Sequence, residues 1–60
     1  MDYQRLLDEM KKFTRMARKY HIPYDEYHAE FEHPKEPGRI IRVKIPLAIR
    51  IIESYLRGEE

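Results

Sequence analysis

The side chains that support catalysis are scarce in this sequence. Ser54 is the only serine, Thr14 falls on an apolar helical stripe, and no cysteine is present to act as a nucleophile. A serine nucleophile also needs a base and an orienting acid held within reach in a water-poor cleft, which a chain of 60 residues rarely forms. We therefore expect no catalytic residues, no enzyme activity and no small-molecule substrate.

Histidines and carboxylates are the candidate metal ligands. His28 and Glu30 fall on the same side of a predicted strand, and His33 follows nearby. No spacing among them matches a recognised metal motif, and the lack of cysteine removes thiolate sites for zinc or iron–sulfur clusters. Acidic pairs such as Asp25-Glu26 are common in a chain that is 38% charged, so they do not indicate acid–base chemistry. We expect neither a metal nor a cofactor.

A basic helical face is one candidate binding site. Five bases and no acid lie between residues 11 and 19, at Lys11, Lys12, Arg15, Arg18 and Lys19. Tyr20, Tyr24 and Tyr27 follow closely, and bases beside aromatic rings can contact phosphates and stack on nucleic-acid bases. Residues 25–36, however, carry five acids against one lysine and would repel phosphate. A nucleic-acid-binding module on this face is therefore the alternative hypothesis.

The start of the first predicted helix suggests a protein-docking site. Many proteins dock on the replication sliding clamp, PCNA, through a glutamine, an aliphatic residue three places on and two aromatics after a further three-residue step. Gln4 and Leu7 match this box, while Met10 and Lys11 occupy the aromatic positions. We take these four as candidate partner-binding residues. In the alternative interpretation, Leu7 and Met10 belong to the apolar stripe of the helix and pack in the core.

With this incomplete box, the chain resembles the small archaeal inhibitors of PCNA found in Thermococcales. The resemblance also rests on a length of 60 residues and on a composition without cysteine, asparagine or tryptophan and with a single glutamine. A high charged fraction and few thermolabile side chains are typical of heat-adapted proteins. The resemblance implies a non-enzymatic regulator of DNA replication that binds PCNA and disrupts its ring. A self-associating regulator of viral or plasmid type is a third interpretation.

The first helix positions both candidate sites. Asp2 is a suitable N-cap, and we predict a helix from Tyr3 to about Tyr20, ended by Ile22-Pro23. Apolar positions recur at three- and four-residue steps and form one stripe. The stripe consists of Tyr3, Leu6, Leu7, Met10, Phe13, Thr14, Ala17 and Tyr20. Gln4 and the five bases lie outside it.

Residues 26–46 alternate between apolar and charged side chains, which predicts a β-hairpin with one buried face. We expect the first strand to run from about Tyr24 or Glu26 to His33. Pro37-Gly38 fits the centre of a type II turn, and separating the faces requires a loop of odd length. We predict a register that sets Phe31 opposite Val43, with cross-strand ion pairs Glu32–Arg42 and Glu30–Lys44 on the outer face.

A second helix is predicted after Pro46, which suits a first helical turn. It should run to about Leu56 or Arg57 and stop at Gly58. Its apolar residues spread over more than half its circumference, which is wider than a two-stranded sheet can cover. We therefore expect an α+β fold over residues 1–60, a single α-β-β-α domain in which an antiparallel two-stranded hairpin carries two helices on one face.

Apolar runs in the chain are short. None approaches the roughly 20 residues that a membrane-spanning helix needs, and the N-terminus lacks the pattern of a signal peptide. We expect no membrane partner and a cytoplasmic location.

Overall fold

The computed structural model describes residues 1–58. Its elements follow in the order α1 (Tyr3–Lys19), β1 (His28–Glu32), β2 (Ile40–Lys44) and α2 (Ile45–Leu56), with a 3₁₀ turn at Tyr24–Glu26 between α1 and β1. The strands pair in an antiparallel two-stranded sheet, and the helices pack on its apolar side. The predicted α+β fold with α-β-β-α order is confirmed. The predicted bounds, 1–60, extend two residues beyond the described range.

The ends of α1 are fixed by local hydrogen bonds. The Asp2 carboxylate accepts a bond from the Arg5 backbone N–H at 3.1 Å, so Asp2 is the N-cap as predicted. At the other end, the Ile22 N–H donates to the Ala17 carbonyl at 2.8 Å and the His21 N–H donates to that of Arg18 at 3.4 Å. These two bonds form a Schellman motif, with His21 in the left-handed region at φ 57°. The helix therefore ends before Ile22-Pro23 is reached.

The hairpin keeps the predicted faces but not the predicted register. Phe31 lies opposite Ile41 and Ala29 opposite Val43, two residues away from the expected pairing of Phe31 with Val43. Because a shift of two residues leaves every side chain on its own face, the apolar side still points to the core. The outer pairs change as well, so the predicted pairings Glu32–Arg42 and Glu30–Lys44 are wrong. Glu30 instead lies opposite Arg42.

Two successive turns explain this register. The His33 N–H donates to the Arg39 carbonyl at 2.8 Å, and the seven residues from 33 to 39 separate the strands. The first turn is closed by a bond from the Glu36 N–H to the His33 carbonyl at 3.1 Å. The second turn is the predicted type II turn, with Gly38 at φ 87° and a bond from the Arg39 N–H to the Glu36 carbonyl at 3.1 Å.

The first strand begins later than predicted. Tyr24–Glu26 forms a 3₁₀ turn, in which the Tyr27 N–H donates to the Tyr24 carbonyl at 3.1 Å. The last bond across the hairpin runs from the Ile45 N–H to the Tyr27 carbonyl at 2.9 Å. The next residue in register would be Pro46, which lies in α2, so residues before Tyr27 have no strand to pair with.

The second helix follows β2 without a loop. Pro46 lies in its first turn, as predicted, and Gly58 adopts φ 77° just beyond its end, with its N–H bonded to the Tyr55 carbonyl at 3.1 Å. Its buried ridge joins residues of α1 and β1 in one core. None of the core side chains is more than 6% exposed, and they are Leu7, Met10, Phe31, Ile45, Ala48 and Ile52.

Tyr3 joins the start of α1 to the end of β1. Its hydroxyl donates to the Glu32 backbone carbonyl at 2.7 Å, and its ring meets that of Tyr55 edge to face at 5.4 Å between centroids. Partial burial, with the nearby Glu32 charge adding to it, raises the pKa of the Tyr3 phenol above its ordinary value. The contact holds the N-terminal turn of α1, and with it Gln4, in a fixed place.

Candidate protein-binding site

An open groove of about 330 Å³ runs along the contact between the two helices. We call it the inter-helix groove; it is lined by Gln4, Leu7, Lys11, Glu53, Leu56 and Arg57. The three residues from α1 follow at three- and four-residue steps, so they share one edge of the helix. Three of the four predicted docking residues therefore meet here, while Met10 does not line the groove.

Leu7 and Met10 are core residues. Their side chains are only 4% and 5% exposed, and they pack in the same cluster as Phe31 and Ile52. This placement agrees with the alternative interpretation of the sequence, in which Leu7 and Met10 belong to the apolar stripe of the helix and pack in the core. A partner could take either as an apolar anchor only if the start of α1 left the core, which would expose the cluster that holds the domain together.

Gln4 is accessible, in contrast to Leu7 and Met10 of the docking box. It lies outside the buried stripe, and its Nε2 donates to the Asp8 Oδ1 at 3.1 Å in an exposed hydrogen bond. A bond of this kind exchanges with water or a partner at little net cost, because both groups can be solvated. The Gln4 amide can therefore meet a partner without any change in the fold.

Lys11 and Glu53 join the two helices beside this amide. The Lys11 Nζ lies 2.9 Å from the Glu53 Oε2, with side chains 43% and 29% exposed. The hydrogen bond from Lys11 lowers the pKa of the Glu53 carboxyl, an effect that partial burial opposes and the positive charges of Lys11 and Arg57 reinforce. Lys11 is thus engaged within the chain, on one side of the groove.

Leu56 is the apolar one of three groove residues, with Glu53 and Arg57, that were not predicted from the sequence. It is 40% exposed and lies on the same groove as Gln4, so it offers the apolar contact that buried Leu7 and Met10 cannot. The sequence signal was the over-wide apolar face of α2. That face alone does not say which of its residues lies beside Gln4, because this depends on how the two helices meet.

The basic face of α1 remains largely open. Lys12, Arg15, Arg18 and Lys19 are exposed, whereas Lys11 is held by Glu53. The Arg18 guanidinium lies 5.5 Å from the centroid of the Tyr24 ring and donates to its hydroxyl at 3.2 Å. The Lys19 ammonium lies 5.6 Å from the Tyr20 ring centroid. Cations and aromatic rings are therefore combined at the C-terminal end of α1.

Two groups of acidic residues between positions 25 and 36 lie apart from each other. Glu30 is exposed on the outer face of the hairpin, opposite the side on which Phe31 enters the core. Asp25 and Glu26 directly follow Tyr24 in the 3₁₀ turn and thus lie next to the basic face. Only the second group bears on phosphate binding at α1, and it weakens that interaction.

Two other kinds of site, a metal centre and a membrane span, have no candidate among residues 1–58. No three His, Asp or Glu side chains in this range cluster as metal ligands do. In the same range, no helix has the length and apolarity to cross a bilayer.

Comparisons with protein-family models, with curated proteins and with solved structures found no match to this chain.

Proposed function

We propose that this chain is a non-enzymatic regulator that binds another protein through the inter-helix groove. The observation that carries the proposal is the pairing of an accessible amide, Gln4, with an accessible apolar side chain, Leu56, on one groove. Neither belongs to the buried core, so both can contact a partner while the domain stays folded. A polar group beside an apolar anchor is the arrangement by which small recognition sites gain specificity.

The partner that we propose is an archaeal PCNA sliding clamp, whose ring the chain would disrupt. The support is the resemblance at residues 4–11, together with the accessibility of Gln4. In this proposal the Gln4 amide takes the place of the glutamine of the docking box, and Leu56 takes the place of its apolar anchor. Lys11 contacts the partner from the edge of the groove, while Leu7 and Met10 support the helix from within the core.

Light scattering on purified archaeal PCNA tests the partner and its inhibition together. Adding the chain should lower the mass of the clamp from that of the closed trimer. Leu56→Ser should reduce this effect, because the substitution removes the accessible apolar contact but spares the buried cluster. An unchanged clamp mass with no bound chain would show that PCNA is not the partner.

Nucleic-acid binding is a second candidate function. The four exposed bases on the basic face of α1 favour it, together with the tyrosines beside two of them. Phosphate contacts from such a face would be independent of sequence and sensitive to salt.

A further inference from the structure

We propose that α2 carries a second docking surface, which accepts an acidic amphipathic helix of a partner protein. The surface is an open groove of about 370 Å³ between α2 and the loop that follows β1, and we call it the loop groove. Leu47, Ile51 and Tyr55 of α2 line it at four-residue steps, and His33 and Pro34 line it from the loop. It shares no residue with the inter-helix groove, so this proposal goes beyond the function proposed above.

Part of the apolar lining of the loop groove is exposed, although Ile51 packs partly against the core. Leu47 is 47% exposed and Tyr55 is 38% exposed, while the buried ridge of α2 that includes Ala48 and Ile52 points to the core. Apolar side chains on α2 therefore occupy two sides of the helix, and the domain leaves Leu47 and Tyr55 partly exposed on the second side. Packing a partner against Leu47 and Ile51 would bury this surface at about 25 cal/mol per Å² of apolar area, less the cost of association.

The charged side chains that line the loop groove are cations. Among residues 1–58, Lys35 and Arg50 line it and no aspartate or glutamate does. The carboxylate next along the loop, Glu36, is bound to Arg39 and is also close to His33. Within the described part of the chain, no ion pair involves Arg50, which is exposed. An apolar surface edged by cations is complementary to an apolar ridge flanked by carboxylates.

This charge pattern decides between two kinds of occupant. A second copy of the chain using the same face would set one cationic lining against another, because a two-fold interface joins a patch to itself, and like charges across an interface are unfavourable. A partner helix with glutamates or aspartates beside its apolar ridge has no such conflict. Leu47 and Tyr55 are eight residues apart on α2, about 12 Å at 1.5 Å per residue, so the groove holds about two turns of helix. An interface of that size is typical of transient binding.

Fluorescence polarisation with a designed peptide tests the proposal. The probe is a labelled helical peptide with leucines at i, i+3, i+4 and i+7 and glutamates on its other faces; a second peptide carries lysines in place of the glutamates. The folded chain should bind the glutamate peptide with micromolar affinity and the lysine peptide at least about tenfold more weakly. Equal affinity for the two peptides, or no binding of the glutamate peptide, would overturn the proposal.

Two charge reversals locate the site. Arg50→Glu should weaken binding of the glutamate peptide about tenfold or more, and Leu47→Ser should do the same without a change in charge. Arg42→Glu makes the same change in net charge on the outer face of the hairpin and should leave affinity within about twofold. Equal losses for Arg50→Glu and Arg42→Glu, or no loss for Leu47→Ser, would contradict the assigned site.

Measuring the oligomeric state of the free chain tests whether a second copy occupies the loop groove. A dimer of the free chain that Leu47→Ser dissociates would show that a second copy occupies the groove, and would overturn the proposal of an acidic partner. None of these substitutions touches Gln4 or Leu56. Failure here therefore leaves the clamp proposal standing, and failure of the clamp proposal leaves this one standing.

Discussion

Lys11 of α1 and Glu53 of α2 form an ion pair across the helix–helix contact, with 2.9 Å between Nζ and Oε2. The pair is partly shielded from solvent and lies on the groove that also presents Gln4 and Leu56. It links the two helices at the groove where core packing places the amide and the apolar side chain. The ion pair thus connects the stability of the domain to the shape of the proposed docking site.

Neutralising Glu53 should weaken the domain in a pH-dependent way. The hydrogen bond from Lys11 lowers the folded-state pKa of Glu53 below its ordinary value of 4.5. A lowered carboxyl pKa contributes stability above the ordinary value and loses it as pH falls through the folded value. Glu53→Gln should therefore have a lower melting temperature than the parent near neutral pH, with the difference shrinking in acid. Thermal unfolding followed by circular dichroism at several pH values measures this, and a difference that persists unchanged at acidic pH would contradict it.

Phe31 should be the most sensitive position of the hairpin. Its side chain is 2% exposed, so Phe31→Ala should cost about 3–5 kcal/mol of unfolding free energy, which is a large share of the stability of so small a domain. Phe31→Leu should retain the fold at a smaller cost. Ile40→Ala is the matched control, because Ile40 is 60% exposed on β2 and should change stability by about 0.5 kcal/mol or less. Urea unfolding measures all three, and similar costs at positions 31 and 40 would show that the faces are misassigned.

The left-handed residue that ends α1 offers a stabilising substitution. His21 has φ 57°, a conformation that costs an L-amino acid about 1–2 kcal/mol, whereas glycine adopts it freely at some loss of chain entropy. His21→Gly should therefore raise unfolding free energy by up to about 1 kcal/mol. His21→Val should lower it, since a β-branched residue tolerates this region poorly. A lower melting temperature for the glycine variant would mean that the His21 side chain makes a contribution larger than the strain.

The sequence predicts the helices and strands of this fold better than it predicts how they pair and pack. The start of α1 and the two ends of α2 follow from Asp2, Pro46 and Gly58, whose effects are local. The faces of the hairpin follow from strict alternation. The register does not, because it depends on how the loop after Glu32 folds, and a prediction based on cross-strand charges placed Phe31 opposite the wrong residue.

The candidate site was predictable only in part, for a related reason. Gln4, Leu7 and Lys11 share an edge of α1 by spacing alone, so their common groove follows from the helix. Whether Leu7 and Met10 lie inside or outside depends on where α2 packs, and both are buried. Leu56 was missed because its place beside Gln4 is a relation between two helices that no local pattern encodes.

The basic face of α1 gives the alternative function a direct test. If Lys12, Arg15, Arg18 and Lys19 contact phosphates, the logarithm of DNA affinity should fall with that of salt concentration with a slope of about −3 to −4. The double substitution of Lys12 and Arg15 by glutamate should abolish binding. Gel-shift titrations with single- and double-stranded DNA at two salt concentrations measure this. Absence of a shift at low salt would remove the nucleic-acid hypothesis.

Calorimetric titration of purified archaeal PCNA with the chain tests the central claim most directly. The wild-type chain should bind, and Gln4→Ala should bind at least about tenfold more weakly, a loss of about 1.4 kcal/mol, with its folding unchanged. Asp8→Ala is the matched control on the same helix: it removes the intrachain partner of the Gln4 amide and should bind at least as tightly as wild type. Equal binding by Gln4→Ala and wild type would contradict the proposed site, and no heat of binding from the wild-type chain would contradict the proposed partner.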